Sequence, residues 1–186
     1  MTRKSVARNS TRAAETSPEG TSLYDDIESA WLEQRPDLDM AMACTLLRLE
    51  RVNQFHELRV QQISGKVGLN TGDLHVLLAL RRSGKPYELR PTDLFRALLV
   101  TSGAVTKRVA RLQEAGLVLR VSANDDGRSE LVRLTAKGLA IADRAIGDIA
   151  KGVSRVKEAS GLTDAELTVF DRCLRKLLAL EAGKNR

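Results

Sequence analysis

A run of local signals between Leu69 and Gly138 constrains this chain more than any other feature. Asn70 and Asp73 stand three residues apart ahead of Leu74, Leu77 and Leu78, the spacing of a capped helix start with an inward apolar face, and Ser83-Gly84 closes that helix. Pro91 opens a second helix running through Leu94 to Leu98, because a fixed φ suits a first turn whose N–H has no partner anyway. Thr101-Ser102-Gly103 breaks the chain and starts a third helix, which runs to Glu114 and stops at Gly116. Val118 to Ser122 and Leu131 to Thr135 are strand-like and flank a polar turn centred on Asp126-Gly127. Helix, helix, turn, helix, hairpin is the order of a winged helix-turn-helix, whose third helix is shaped to enter a DNA groove.

The charge follows the same segment. From Arg81 to Lys137 there are 12 Lys and Arg against 6 Asp and Glu, and the rest of the 186 residues hold 18 against 18, so the whole net charge of +6 lies in the part that would face phosphate. With 42% hydrophobic but only 3% aromatic residues, packed Leu, Val and Ala helices are expected, a mainly α fold carrying one small β-hairpin. No stretch approaches the ~20 apolar residues of a membrane span, and the first twenty residues hold no apolar run, so a cytoplasmic protein with no membrane partner is expected.

Cys44 and Cys173 lie far apart with no CxxC and no neighbouring His, which excludes a recognisable metal site and favours small buried hydrophobes over redox-sensing thiols. His56 and His75 are equally isolated, and no nucleophile–base arrangement is visible. Neither an enzyme nor a bound cofactor is expected.

Residues 1–21 are polar and basic and read as a disordered tail. Ser22 with Asp25 caps a short helix bearing Leu23, Ile27, Ala30 and Trp31 on one face, ending before Pro36. Leu38 to Ile63 is a long amphipathic helix with Met42, Leu46 and Leu49 in register, stopped by Gly65 and Gly68. After Thr135, Leu139, Ala142, Ile146, Ile149, Val153 and Val156 alternate at spacings of three and four; beyond a capping box at Thr163 and Glu166, Leu167, Phe170, Leu174 and Leu177 do the same. These stripes hold more seam than one lobe needs, so a homodimer is expected. The domain reading is a tail over 1–21, dimerisation helices over 22–68 and 139–186, and a winged helix-turn-helix over 69–138.

On the third helix Val105, Val109 and Leu112 share one side, and Gly103, Thr106, Lys107 and Ala110 the other. One side packs and the other reads. Thr101, Ser102 and Gly103 bring the helix N-terminus close to a phosphate, Thr106 and Lys107 reach base edges or backbone, Arg111 stands at the border, and Arg128 at the hairpin tip suits a minor groove. Arg108 falls on the packing side, where a cation needs a partner, and an anion is a natural one.

Three segments also resemble a known family. LNTGDLHVLLALRRSG, TSGAVTKRVARLQEAGLV and DDGRSELVRLTAKG, within Leu69 to Asp143, are similar to the core of the multiple-antibiotic-resistance regulator (MarR) family of bacterial transcription factors, with Asp126-x-Arg128 followed by Leu134-Thr135 and Gly138 as the most specific signature. The resemblance implies a homodimer that represses a promoter from a pseudo-palindromic site on double-stranded DNA and is released by a small, often aromatic ligand. The extra first helix with Ala30-Trp31, the following Arg35-Pro36-Asp37-Leu38-Asp39, and Gly84-Lys85-Pro86-Tyr87 resemble the urate-responsive subgroup. That likeness implies a ligand site at Trp31, Arg108 and Arg120, with His75 standing where the subgroup carries Asp, so the expected ligand is an anionic aromatic: a carboxylate, a phenolate or a purine-like molecule. A thiol-based redox regulator and a DNA-binding protein without a ligand are the alternatives.

Overall fold

The protein is described from a computed structural model, over residues 23–98, 101–122 and 130–182. The expected tail, the Ser22 cap, and the hairpin tip with Asp125, Asp126, Gly127 and Arg128 lie outside the described residues. The elements run α1 (Leu23–Gln34), α2 (Ala41–Lys66), α3 (Thr71–Arg82), β1 (Glu88–Leu89), α4 (Pro91–Leu98), α5 (Ser102–Glu114), β2 (Val118–Ser122), β3 (Glu130–Leu134), α6 (Ala136–Ser160) and α7 (Asp164–Ala182). The chain divides into two compact units, the second beginning at His56, inside α2.

In the first unit α1 has no buried residue. It is tied to α2 by Arg48, whose Nη2 donates to Asp25 at 2.7 Å and to Glu28 at 2.6 Å. Arg35 and Asp37 form a two-pronged exposed pair in the loop after Gln34, and Asp39 caps α2 by accepting from the Ala41 N–H at 3.1 Å.

The second unit is built around α3. Its Leu74, Leu77 and Leu80 are fully enclosed, and Val76 and Ala79 are buried beside them. Leu94 of α4, Val105, Val109 and Leu112 of α5, Val118 of β2, Val132 of β3 and Ala142 of α6 join Val76, Leu77 and Leu80 in one core. Each fully buried Leu or Val contributes roughly 1.5–3 kcal/mol relative to exposure, so this core fixes the three helices of the helix-turn-helix against one another. A smaller cluster of Val60, Leu74 and Ala145 packs the end of α2 and the start of α6 onto the opposite side of α3.

The sheet has three strands in the order β1-β3-β2, all antiparallel, where a two-stranded hairpin was expected. Glu88 faces Arg133 and Leu89 faces Val132, while β2 and β3 pair from Val118 opposite Leu134 to Ser122 opposite Glu130. β1 consists of two residues and carries no periodicity for a sequence reading to detect. Arg133 Nε reaches Glu88 at 2.6 Å across that added pair.

The junction of sheet and α6 is tightly specified. Thr135 is the N-cap of α6: its Oγ1 accepts from the Gly138 N–H at 3.0 Å and donates toward the Gly116 carbonyl at 2.9 Å. Thr135 N–H donates to the Leu117 carbonyl at 3.1 Å. That carbonyl sits where a side chain at 138 would begin, since a Cβ there would lie 2.0 Å from the Leu117 oxygen. Gly138 is therefore required by close approach of two backbones.

Candidate nucleic-acid interface

Helix α5 starts at a cap that its sequence announces. Thr101 is extended, and its Oγ1 accepts from the Ala104 N–H at 3.3 Å. Thr101 thus has a structural duty in addition to the phosphate contact expected of it. Ser102 supplies the first helical turn, and Gly103 is exposed with nothing within 4 Å of where a Cβ would stand. Thr106, Lys107 and Ala110 are exposed, whereas Val105, Val109 and Leu112 are each only 1% exposed. The division into a packed and an exposed face is the one read from the spacing. Lys107 makes no ion pair with another described residue.

Two arginines of α5 behave differently. Arg111 grips Asp73 of α3 with both prongs, Nε to Oδ2 at 3.0 Å and Nη2 to Oδ1 at 2.6 Å. The Asp73 side chain is 6% exposed and that of Arg111 50%. The carboxylate beside it raises the Arg111 pKa above the ordinary guanidinium value. Arg108 is half-buried, and its Nη1 makes one long contact of 3.5 Å to the Gly72 carbonyl. It lies so close over Gly72 that a Cβ there would meet its guanidinium carbon at 2.7 Å.

The remaining expected ligand residues sit on separate elements. Arg120 on β2 donates to Gln113 of α5 at 3.2 Å and pairs with Glu130 of β3. His75 is half-buried on α3, and no hydrogen bond among the described residues joins it to Arg108 or Arg120. Trp31 belongs to the first unit and is 45% exposed. A groove of about 450 Å³ lies elsewhere, lined by Ala79, Arg82, Ser83, Leu89, Asp93, Arg96 and Ala97, and contains none of the four. Sequence reasoning missed the partner of Arg111, although Asp73 was already marked as a cap residue.

Further from the interface, Arg81 of α3 pairs with Asp143 of α6 at 2.6 Å and lies over the Tyr87 ring at 5.0 Å. Cys44 is buried and Cys173 exposed, both as free thiols. No group of three His, Cys, Asp or Glu side chains among the described residues could hold a metal, and no described helix is long and apolar enough to cross a membrane.

Comparison with known proteins supplies the family. The MarR family profile matches residues 67–129. The HTH-type transcriptional regulator PecS of Dickeya dadantii is 31% identical over 121 residues, covering 65% of this chain and 73% of PecS. The crystal structure of AbsC, a MarR family transcriptional regulator from Streptomyces coelicolor, shares the fold with a TM-score of 0.69 at 22% identity, over 78% of this chain and 97% of AbsC. A mutant MarR from Escherichia coli complexed with operator DNA aligns with a TM-score of 0.60 at 23% identity, over 85% of this chain and 99% of that one. With its capped third helix, packed and exposed helix faces and three-stranded sheet, the chain belongs to the MarR family of transcriptional regulators, which are not enzymes.

Proposed function

We propose that two copies of this chain bind a pseudo-palindromic duplex, each laying α5 in the major groove and its hairpin tip in the adjoining minor groove, and that the complex acts as a repressor. The observation that carries the reading is the exposed face of α5: Gly103, Thr106, Lys107 and Ala110 are exposed on a helix whose other face is fixed in the core. Thr101 and Ser102 at the helix start and Arg128 at the tip complete the contact set. The operator-bound MarR structure supports this docking by its shared fold. Dimerisation through the helices of 22–68 and 139–186 is supported by what one chain leaves uncovered: Ile146, Val153, Val156 and Phe170 are 44–53% exposed although their spacing is that of a helix seam. Two-fold symmetry then sets the two reading helices about 34 Å apart. Such a regulator works where its DNA is, in the cytoplasm.

Release is assigned to a small anionic aromatic ligand at Trp31, His75, Arg108 and Arg120. Its support is the half-buried Arg108, a charge whose one hydrogen bond among the described residues is long, on the same helix that is proposed to read DNA. The ligand acts as a switch only by favouring the state that does not bind DNA.

The test is selection of a duplex from a random-sequence pool, followed by titrations at several salt concentrations. Lys107→Ala is expected to weaken binding, and loss of a phosphate contact to lower the salt slope by about 1. Wild-type affinity and slope in that variant would make the exposed face of α5 a solvated surface. For the ligand, calorimetric titration with aromatic carboxylates should give a signal that Arg108→Ala abolishes; an unchanged signal removes Arg108 from the site.

A further inference from the structure

We propose that Arg111 is a positioning residue, a latch to Asp73 that sets the rotation and height of the reading helix, and that it does not contact DNA. The inference rests on the DNA-binding reading of α5. Apolar packing through Val105, Val109 and Leu112 holds α5 against the core but is weakly directional, since similar side chains fill similar holes after a small slide or roll. A two-pronged guanidinium–carboxylate pair is directional in distance and in plane.

Here the pair joins the C-terminal half of α5 to the first turn of α3. The carboxylate is fixed before Arg111 reaches it. Asp73 N–H donates to Asn70 Oδ1 at 2.9 Å, Asn70 Nδ2 donates back to Asp73 Oδ2 at 2.7 Å, and the start of α3 favours a negative charge there. One turn earlier on α5, Arg108 lies on Gly72, the residue beside Asp73, so two arginines three apart close on one helix start. Two of the three guanidinium nitrogens of Arg111 are held by a carboxylate whose side chain is 6% exposed. The exposed face at Thr106, Lys107 and Ala110 takes its aim from it.

The test separates aiming from touching. The probes are a duplex enriched by the wild-type protein and a mixed-sequence duplex of equal length, each titrated over a range of salt. Arg111→Lys keeps the charge and loses the fork, so the enriched duplex should bind about tenfold more weakly with the salt slope and mixed-sequence affinity unchanged. Asp73→Asn gives opposite signs under the two readings. If Arg111 touched DNA, freeing it and removing a nearby anion would tighten binding. As a latch, its loss should weaken the enriched duplex about as much as Arg111→Lys, and the double variant should add little.

Tighter binding by Asp73→Asn, additive losses, or a salt slope reduced by about 1 in Arg111→Ala would overturn the proposal. Should Asp73→Asn fail to fold, Arg111→Lys and Arg111→Ala still decide it through their slopes, because Arg111 is half exposed. If the wild type enriches no sequence, the DNA-binding reading itself falls, and the latch with it; if it does and the variants lose affinity with reduced slopes, only the latch falls.

Discussion

Replacing Gly138 by alanine tests the junction between the sheet and α6. The added methyl would lie 2.0 Å from the Leu117 oxygen and 2.9 Å from its carbonyl carbon. Both are backbone atoms, so no side-chain rotation relieves the clash; the first turn of α6 or the start of β2 must move. Overpacking of this kind costs about 1–3 kcal/mol. The same movement stretches the bonds Thr135 makes to Gly138, Gly116 and Leu117, and losing a Thr cap costs about 1 kcal/mol more. Alanine's better helix propensity returns up to about 1 kcal/mol. The net is a destabilisation of about 2–3 kcal/mol, which in a protein of this size lowers Tm by about 5–10 °C. Thermal unfolding at fixed protomer concentration measures it, since association shifts the midpoint. Gly65→Ala is the control: it lies in α2, exposed, with nothing within 4 Å of its Cβ position, and should leave Tm unchanged or raised. A Gly138→Ala protein melting with the wild type would refute the argument from close approach.

Gly72→Ala should behave in the opposite way, because the obstructing atoms belong to the flexible end of Arg108. Tm is expected to stay or rise by the equivalent of less than about 1 kcal/mol, while calorimetry detects altered aromatic-carboxylate binding; a loss matching that of Gly138→Ala would show that Arg108 cannot swing aside. At the start of α7, Glu166 accepts from the hydroxyl and the N–H of Thr163, which hold its carboxyl below its ordinary value of 4.5. This stabilisation is present above that ordinary value and lost as pH falls through the lowered one, so amide exchange in the first turn of α7 should quicken in acid. Glu166→Gln should remove that dependence, and an equal acid response in the variant would contradict the cap.

Much of this fold was legible because its helix ends carry their own chemistry. Asn70 and Asp73 bracket the start of α3 as the cap rule requires, Pro91 marks the first residue of α4, and Thr163 with Glu166 closes a capping box observed bond for bond. The inward and outward faces of α5 followed from a rotation of 100° per residue alone. What stayed hidden depends on neighbours distant in sequence. Nothing near Arg111 announces Asp73, 38 residues earlier. The need for glycine at 138 shows only when Leu117, the residue before β2, is laid against it. The pairing of Arg120 with Gln113 and Glu130 likewise needed the register of the hairpin, and β1 needed β3 beside it. The single-chain fold also divides the α6 stripe: Ala142 is enclosed, whereas Ile146, Val153 and Val156 are exposed, a separation that an evenly spaced pattern could not reveal.

The β2–β3 ladder is asymmetric along its length. At its base Val118 and Leu134 are buried and tied through Thr135 to α6; at its outer end Ser122 faces Glu130, both exposed. Thermal opening is therefore expected to begin at the outer end, where neither residue is buried. The buried base limits that opening to the outer rungs, so amide exchange should be faster at Ser122 and Glu130 than at Val118 and Leu134.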